Sequence, residues 1–85
     1  MKIIYSPKFA REYKKLSIET KIKAEKVELL FRKNPFNPKL KIHKLSGHLK
    51  DFWSFSIDYS NRVIFEFAEK DIVYFHSVGN HDIYD

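Results

Sequence analysis

His43, Arg62, His81 and Tyr84 are the side chains whose types, taken together, could do chemistry. Attack of a ribose 2′-hydroxyl on its own phosphodiester needs a base, an acid titrating near neutrality and a cation for the charge that grows on the phosphoryl oxygens. It needs no metal ion. Histidine titrates nearest neutrality, arginine pairs bidentately with phosphate oxygens, and tyrosine donates a proton or stacks on a base. Each residue also has a plainer reading. Arg62 facing Asp58 across a hairpin is an ordinary cross-strand ion pair, His43 sits among lysines on a short strand, and Tyr84 could dock the end of the chain. His48 beside Gly47 reads as a solvated turn residue, His76 as a packed, hydrogen-bonded histidine inside a strand, and Trp53 as core. His81 falls past the last strand, where packing seldom calls for a histidine.

Other chemistries find no support. No P-loop, dinucleotide fingerprint, HExxH or nucleophile elbow occurs, and two glycines cannot build a phosphate-cradling loop. Without cysteine there is no disulfide framework, thiolate nucleophile or Cys-ligated zinc; four histidines leave only a weaker metal site arguable, and the expectation is neither a metal nor a cofactor. The 85 residues suit one domain spanning 1–85. No apolar run approaches the ~20 residues of a membrane span, and the opening residues lack a secretory apolar region. The expected setting is cytoplasmic, with no membrane partner.

Charge is distributed unevenly. Residues 1–50 hold fourteen basic and four acidic side chains, and residues 51–85 hold two basic and seven acidic ones, so the halves carry +10 and −5. A polyanion such as RNA, or a small acidic protein, is the partner such a first half attracts, although a solvated lysine-rich helix surface has the same composition.

The elements that would position these groups follow from the pattern. Lys2–Tyr5 is β-prone, Ser6-Pro7 is an N-cap with proline at the first helical position, and Phe9, Tyr13 and Leu16 form one apolar stripe. Ser17 caps a second helix that runs to about Lys33 and stops at Asn34-Pro35. It carries two apolar rows, Ile18/Ile22/Leu29 and Ala24/Val27/Phe31, which implies two neighbours. Beyond Leu40 the period becomes alternating, giving strands over 41–45, 52–58, 62–68 and 71–78. The expected fold is α+β in the order β-α-α-β-β-β-β, with both helices on one face of a twisted, mainly antiparallel sheet. In the central hairpin, Trp53, Phe55 and Ile57 share a face with Val63, Phe65 and Phe67. A three-residue loop, Tyr59-Ser60-Asn61 with Asn61 left-handed, then pairs Asp58 with Arg62, Ser56 with Ile64 and Ser54 with Glu66 on an opposite, solvent-open polar face.

The run from His43 through Lys44, Leu45, Ser46, Gly47, His48 and Leu49 to Lys50, then Trp53-Ser54-Phe55-Ser56-Ile57, Asn61-Arg62-Val63-Ile64-Phe65-Glu66 and Val78-Gly79-Asn80-His81-Asp82-Ile83-Tyr84, resembles the RelE/YafQ branch of the RelE/ParE toxin superfamily. The resemblance implies a RelE-like fold and a type II toxin. Such a toxin is an endoribonuclease (mRNA interferase) that cuts mRNA at the 70S ribosome and is silenced by a cognate antitoxin. It further implies that Arg62 holds the scissile phosphate, that His81 and His43 are catalytic, and that Tyr84 orients the substrate base. Ser54 and Ser56 occupy strand positions where relatives place lysines or, at the second, a histidine, which leaves Lys44 and Lys50 to supply phosphate-binding charge. Two alternatives share the fold: a ParE-like toxin that poisons DNA gyrase without cutting RNA, and a decayed toxin that retains only antitoxin binding. His81 together with Arg62 favours the nuclease.

Overall fold

In the computed structural model, which describes residues 1–80, the chain forms β1 (Lys2–Tyr5), α1 (Pro7–Lys14), α2 (Ile18–Lys33), β2 (His43–Lys44), β3 (Trp53–Ser56), β4 (Arg62–Glu69) and β5 (Ile72–Gly79). Short 3₁₀ turns at Pro38–Leu40 and Gly47–Leu49 flank β2. Both helices start as the capping residues dictate: the Ser6 hydroxyl accepts the Phe9 N–H at 2.9 Å and the Ser17 hydroxyl accepts the Thr20 N–H at 3.1 Å. The sheet order is β1-β5-β4-β3-β2, with β1 parallel to β5 and every other pair antiparallel. This is the expected α+β arrangement.

The helices cover the face built from Phe55, Val63, Phe65, Val73 and Phe75. Phe31 of α2 is wholly buried there, its ring 5.0 Å from those of Phe55 and Phe65 and 5.5 Å from that of Phe75. Phe9 of α1 lies 5.5 Å from Phe75. Only one of the two apolar rows of α2 is used for folding. Ala24, Val27 and Phe31 pack on the core, while Ile18, Ile22 and Leu29 stay exposed, so the second expected neighbour is not among the described residues of this chain. Where β1 ends at Tyr5, the continuing edge of β5 is closed by Glu12 of α1, whose carboxylate accepts the Ser77 hydroxyl at 2.8 Å and the Val78 N–H at 3.2 Å.

The central hairpin departs from the expected register by two residues. Ser56, not Asp58, lies opposite Arg62; Ser54 faces Ile64, Phe55 faces Val63 and Trp53 faces Phe65. The pairing parity is unchanged, so the aromatic face is the one anticipated. The loop is longer because Asp58 closes it. The Asp58 carboxylate accepts the backbone N–H groups of Ser60 and Asn61 at 2.9 and 2.8 Å, and the N–H groups of Ile57 and Asp58 donate to the Asn61 carbonyl at 2.9 and 3.3 Å. Asn61 is not left-handed; among the described non-glycine residues only Lys41 and Asp71 have positive φ, at 51° and 62°. The second face also differs from expectation. Ser54, Ser56, Ile64 and Ser77 are buried on it, and the residue that precedes β3 reaches over β4 to bring the Phe52 ring 4.9 Å from His76.

Truncating Phe31 removes the ring shared by three aromatic neighbours, so Phe31→Ala should lower unfolding free energy by about 3–5 kcal/mol. Leu29→Ala on the exposed row should stay within about 0.5 kcal/mol. Urea denaturation of both variants checks the pair.

Candidate functional site

The register places Ser56 and Arg62 side by side at the loop end of β3 and β4, where they line a pocket of about 280 Å³ with Lys39, Lys41, Ile57, Asp58 and Tyr59. Nη1 of Arg62 donates to the Ser56 hydroxyl. Among the described residues no carboxylate pairs with Arg62, so in place of the expected Asp58–Arg62 ion pair the guanidinium bonds the Ser56 hydroxyl and lines the pocket. Asp58 lines the same pocket but is engaged elsewhere, with its own loop and with Lys23 of α2 at 3.7 Å. Burial pushes the Asp58 carboxyl upward. The backbone and side-chain N–H groups of Asn61, the Ser60 N–H and the Lys23 charge outweigh that and hold it below its ordinary 3.8.

Lys39 and Lys41 arrive from the connector between α2 and β2. The Asn37 side chain accepts the Lys39 N–H at 2.9 Å and starts the Pro38–Leu40 turn, Leu40 is fully buried, and the left-handed Lys41 ends the turn. A buried leucine between two exposed lysines therefore fixes both cations at the mouth of the pocket. Neither lysine was singled out by sequence reasoning, which saw their charge only as part of the basic first half. Tyr59, 93% exposed at the loop tip, was missed as well. The one available signal was an aromatic residue in a turn flanked by Asp58 and Ser60.

The other candidates are distributed as follows. His43 pairs with Ser54, so it stands on Arg62's face of the sheet but two strands away and exposed. Ser54 is 1% exposed and its hydroxyl has no hydrogen-bond partner among the described residues. Lys44 pairs with Trp53 and so projects from the other face. Lys50 is exposed just after the Gly47–Leu49 turn and does not line the pocket. His81 and Tyr84 lie outside the described residues; Gly79, two positions before His81, is the β5 residue paired with Arg62. Three cations against one engaged carboxylate, with a hydroxyl held on the guanidinium, make a site for a phosphate-sized anion.

Comparison with known proteins places the family and the fold. Residues 1–84 match the family model described as the bacterial toxin of type II toxin-antitoxin system, YafQ. No individual curated sequence matches significantly. Among solved structures, YafQ from E. coli strain BL21(DE3) superposes with a TM-score of 0.80 at 21% identity, over 96% of this chain and 94% of that one. The YoeB/ParE toxin from Agrobacterium tumefaciens gives 0.81 at 16% identity, over 95% and 99%. The YoeB-YefM complex from Staphylococcus aureus gives 0.77 at 19%, over 95% and 97%.

Because the folded-state pKa of Asp58 lies below that of the unfolded chain, its carboxylate adds stability above about pH 3.8, and this contribution is lost as pH falls through the folded-state value. Asp58→Ala should cost about 1–3 kcal/mol at neutral pH by leaving loop N–H groups unpaired. Urea midpoints of wild type and variant should converge in acid.

Proposed function

Since the chain belongs to the YafQ family of bacterial toxins of type II toxin-antitoxin systems, we propose that it is an mRNA interferase whose substrate phosphate is held by Arg62. The observation that carries this reading is the Arg62 guanidinium, free of any carboxylate among the described residues, in a pocket shared with Lys39 and Lys41. Arg62 would neutralise charge growing on the phosphoryl oxygens as the 2′-oxygen attacks, and Ser56 would position the guanidinium. Lys39 and Lys41 would hold flanking phosphates. His81 would protonate the departing 5′-oxygen, His43 would take the 2′-hydroxyl proton, and Tyr84 would orient the substrate base. The products are a 2′,3′-cyclic phosphate and a 5′-hydroxyl end. These roles require no metal ion.

The same reading supplies a protein partner. The YoeB-YefM and DinJ-YafQ structures among the relatives are complexes. An amphipathic antitoxin segment would cover the exposed Ile18/Ile22/Leu29 row of α2 and silence this chain until released. Cleavage would take place on translated mRNA at the ribosome, in the cytoplasm.

Arg62→Ala should slow mRNA cleavage on the order of 10²-fold or more with little loss of stability. His81→Gln should flatten the fall in rate at alkaline pH. Mapping mRNA 5′ ends with and without EDTA tests both. Full activity of the two variants, or abolition by EDTA of cleavage on ribosome-free RNA, would overturn the mechanism, and growth arrest with intact mRNA would point to gyrase instead. Replacing both Lys39 and Lys41 by Gln should reduce the log–log salt slope of RNA binding by about 1.4, two single-strand phosphate contacts.

A further inference from the structure

His76 sits where β5 gains an extra residue. Ile64 pairs with Ser77 and Phe65 pairs with Phe75, so His76 has no partner on β4. Such a bulge re-aims the side chains around it. Here it allows two consecutive residues to find different partners: Ser77 turns to Glu12 at the sheet edge, and His76 places Nε2 2.9 Å from Oε1 of Glu66. Both members of that pair remain about one-third exposed. A wholly structural pair so exposed would contribute little. The surroundings are also unusual for a solvated ion pair. The Phe52 ring stands at 84° to the imidazole with centroids 4.9 Å apart, forming an inside corner with the Glu66 carboxylate that His76 also meets, and the exposed Tyr74 ring lies 6.1 Å from His76.

Arg62, Ile64 and Glu66 alternate onto one face of β4, which puts Glu66 about 13 Å along the strand from Arg62 at ~3.3 Å per residue. That distance is within the span of one or two nucleotides. The geometry points to a nucleobase subsite at this corner: Phe52 stacks on a base whose phosphate neighbour is held by Arg62, and Glu66 reads its Watson–Crick edge. The inference rests on the RNA-cleaving reading above and extends it to specificity.

The chemistry of the corner selects one base. A carboxylate is acceptor-only, and it is best met by two adjacent N–H donors. Guanine presents N1–H and N2–H side by side. Adenine and cytosine set an acceptor next to their amino group, and uracil sets its single N3–H between two carbonyls, so each opposes a lone pair to the carboxylate. His76 donates from Nε2 to Oε1, which fixes the carboxylate plane and leaves Oε2 and the remaining lone pair of Oε1 for the base. Stacking on an aromatic ring combined with edge recognition is the ordinary way single-stranded RNA is read.

The test uses 2′-deoxy-substituted, uncleavable oligonucleotides, all adenine except for one G, C or U beside the position held by Arg62. Fluorescence anisotropy gives the ratio of affinities for the G-containing and all-adenine probes. Wild type should favour G by roughly 10-fold or more, the range of a good bidentate base contact. Glu66→Gln should reduce that ratio to near one, Phe52→Ala should weaken every probe, and Glu69→Gln, exposed further along β4, should keep the wild-type ratio. Mapped cleavage sites should lose their G bias in Glu66→Gln. A G preference that survives Glu66→Gln, or no base preference in wild type, would overturn the subsite while Arg62-dependent cleavage still stood. Absence of both binding and cleavage in wild type would overturn the nuclease reading together with it.

Discussion

The Asp58 carboxylate, closing a five-residue turn on the N–H groups of Ser60 and Asn61, decides what the rest of this molecule can do. A turn one pair tighter would put Asp58 against Arg62 and bind the guanidinium internally. The wider turn instead lowers Ile57 into the core, moves the carboxylate toward Lys23, and brings the small hydroxyl of Ser56 opposite Arg62. A neutral partner that accepts one hydrogen bond leaves the arginine's charge uncancelled, whereas a carboxylate partner would compete with any incoming anion. Register here is therefore an electrostatic choice as much as a geometric one.

The two faces of the sheet divide the labour. Beneath the helices, Phe31, Phe55, Phe65 and Phe75 pack ring against ring and hold the strands in place. The opposite face buries Ser54, Ile64 and Ser77 at its centre and keeps its polar groups at two ends, Arg62 with Ser56 near the hairpin loop and Glu66 with His76 at the bulge. A flat polar face would be solvated throughout. Because the middle is small and buried while the ends are charged, this face offers two separated polar stations on one rigid scaffold.

Much of this was legible in the sequence because it is local. Ser6-Pro7 and Ser17 are caps that act within three residues, and the alternation from Trp53 to Phe67 assigns faces without knowledge of topology. The register was not legible, since a three-residue loop and a five-residue loop give the same parity and the same apolar face. What distinguishes them is whether a single aspartate bonds its own loop or a cross-strand arginine, and both are chemically ordinary. Lys39 and Lys41 were invisible for a related reason: their approach to Arg62 depends on buried Leu40 anchoring a connector, a tertiary effect with no periodic signature. The bulge at His76 has none either. The family resemblance named Arg62, which the structure places in the basic pocket, and His81 and Tyr84, which fall outside the described residues.

The chain's lopsided charge gains a meaning from this arrangement. Arg62 is one of only two basic residues after position 50, in a stretch with seven acidic ones, and alone it would be a weak place for a polyanion. Long-range attraction falls off over about 8–10 Å in physiological salt, so the +10 of the first half matters to Arg62 only where the fold brings it close. The connector after α2 does so with Lys39 and Lys41, and α2 does so with Lys23, which pairs with Asp58, the one carboxylate among the described residues that line the pocket. The first half of the chain thus serves the second twice, adding cations beside the arginine and helping the loop N–H groups hold the Asp58 carboxylate away from it.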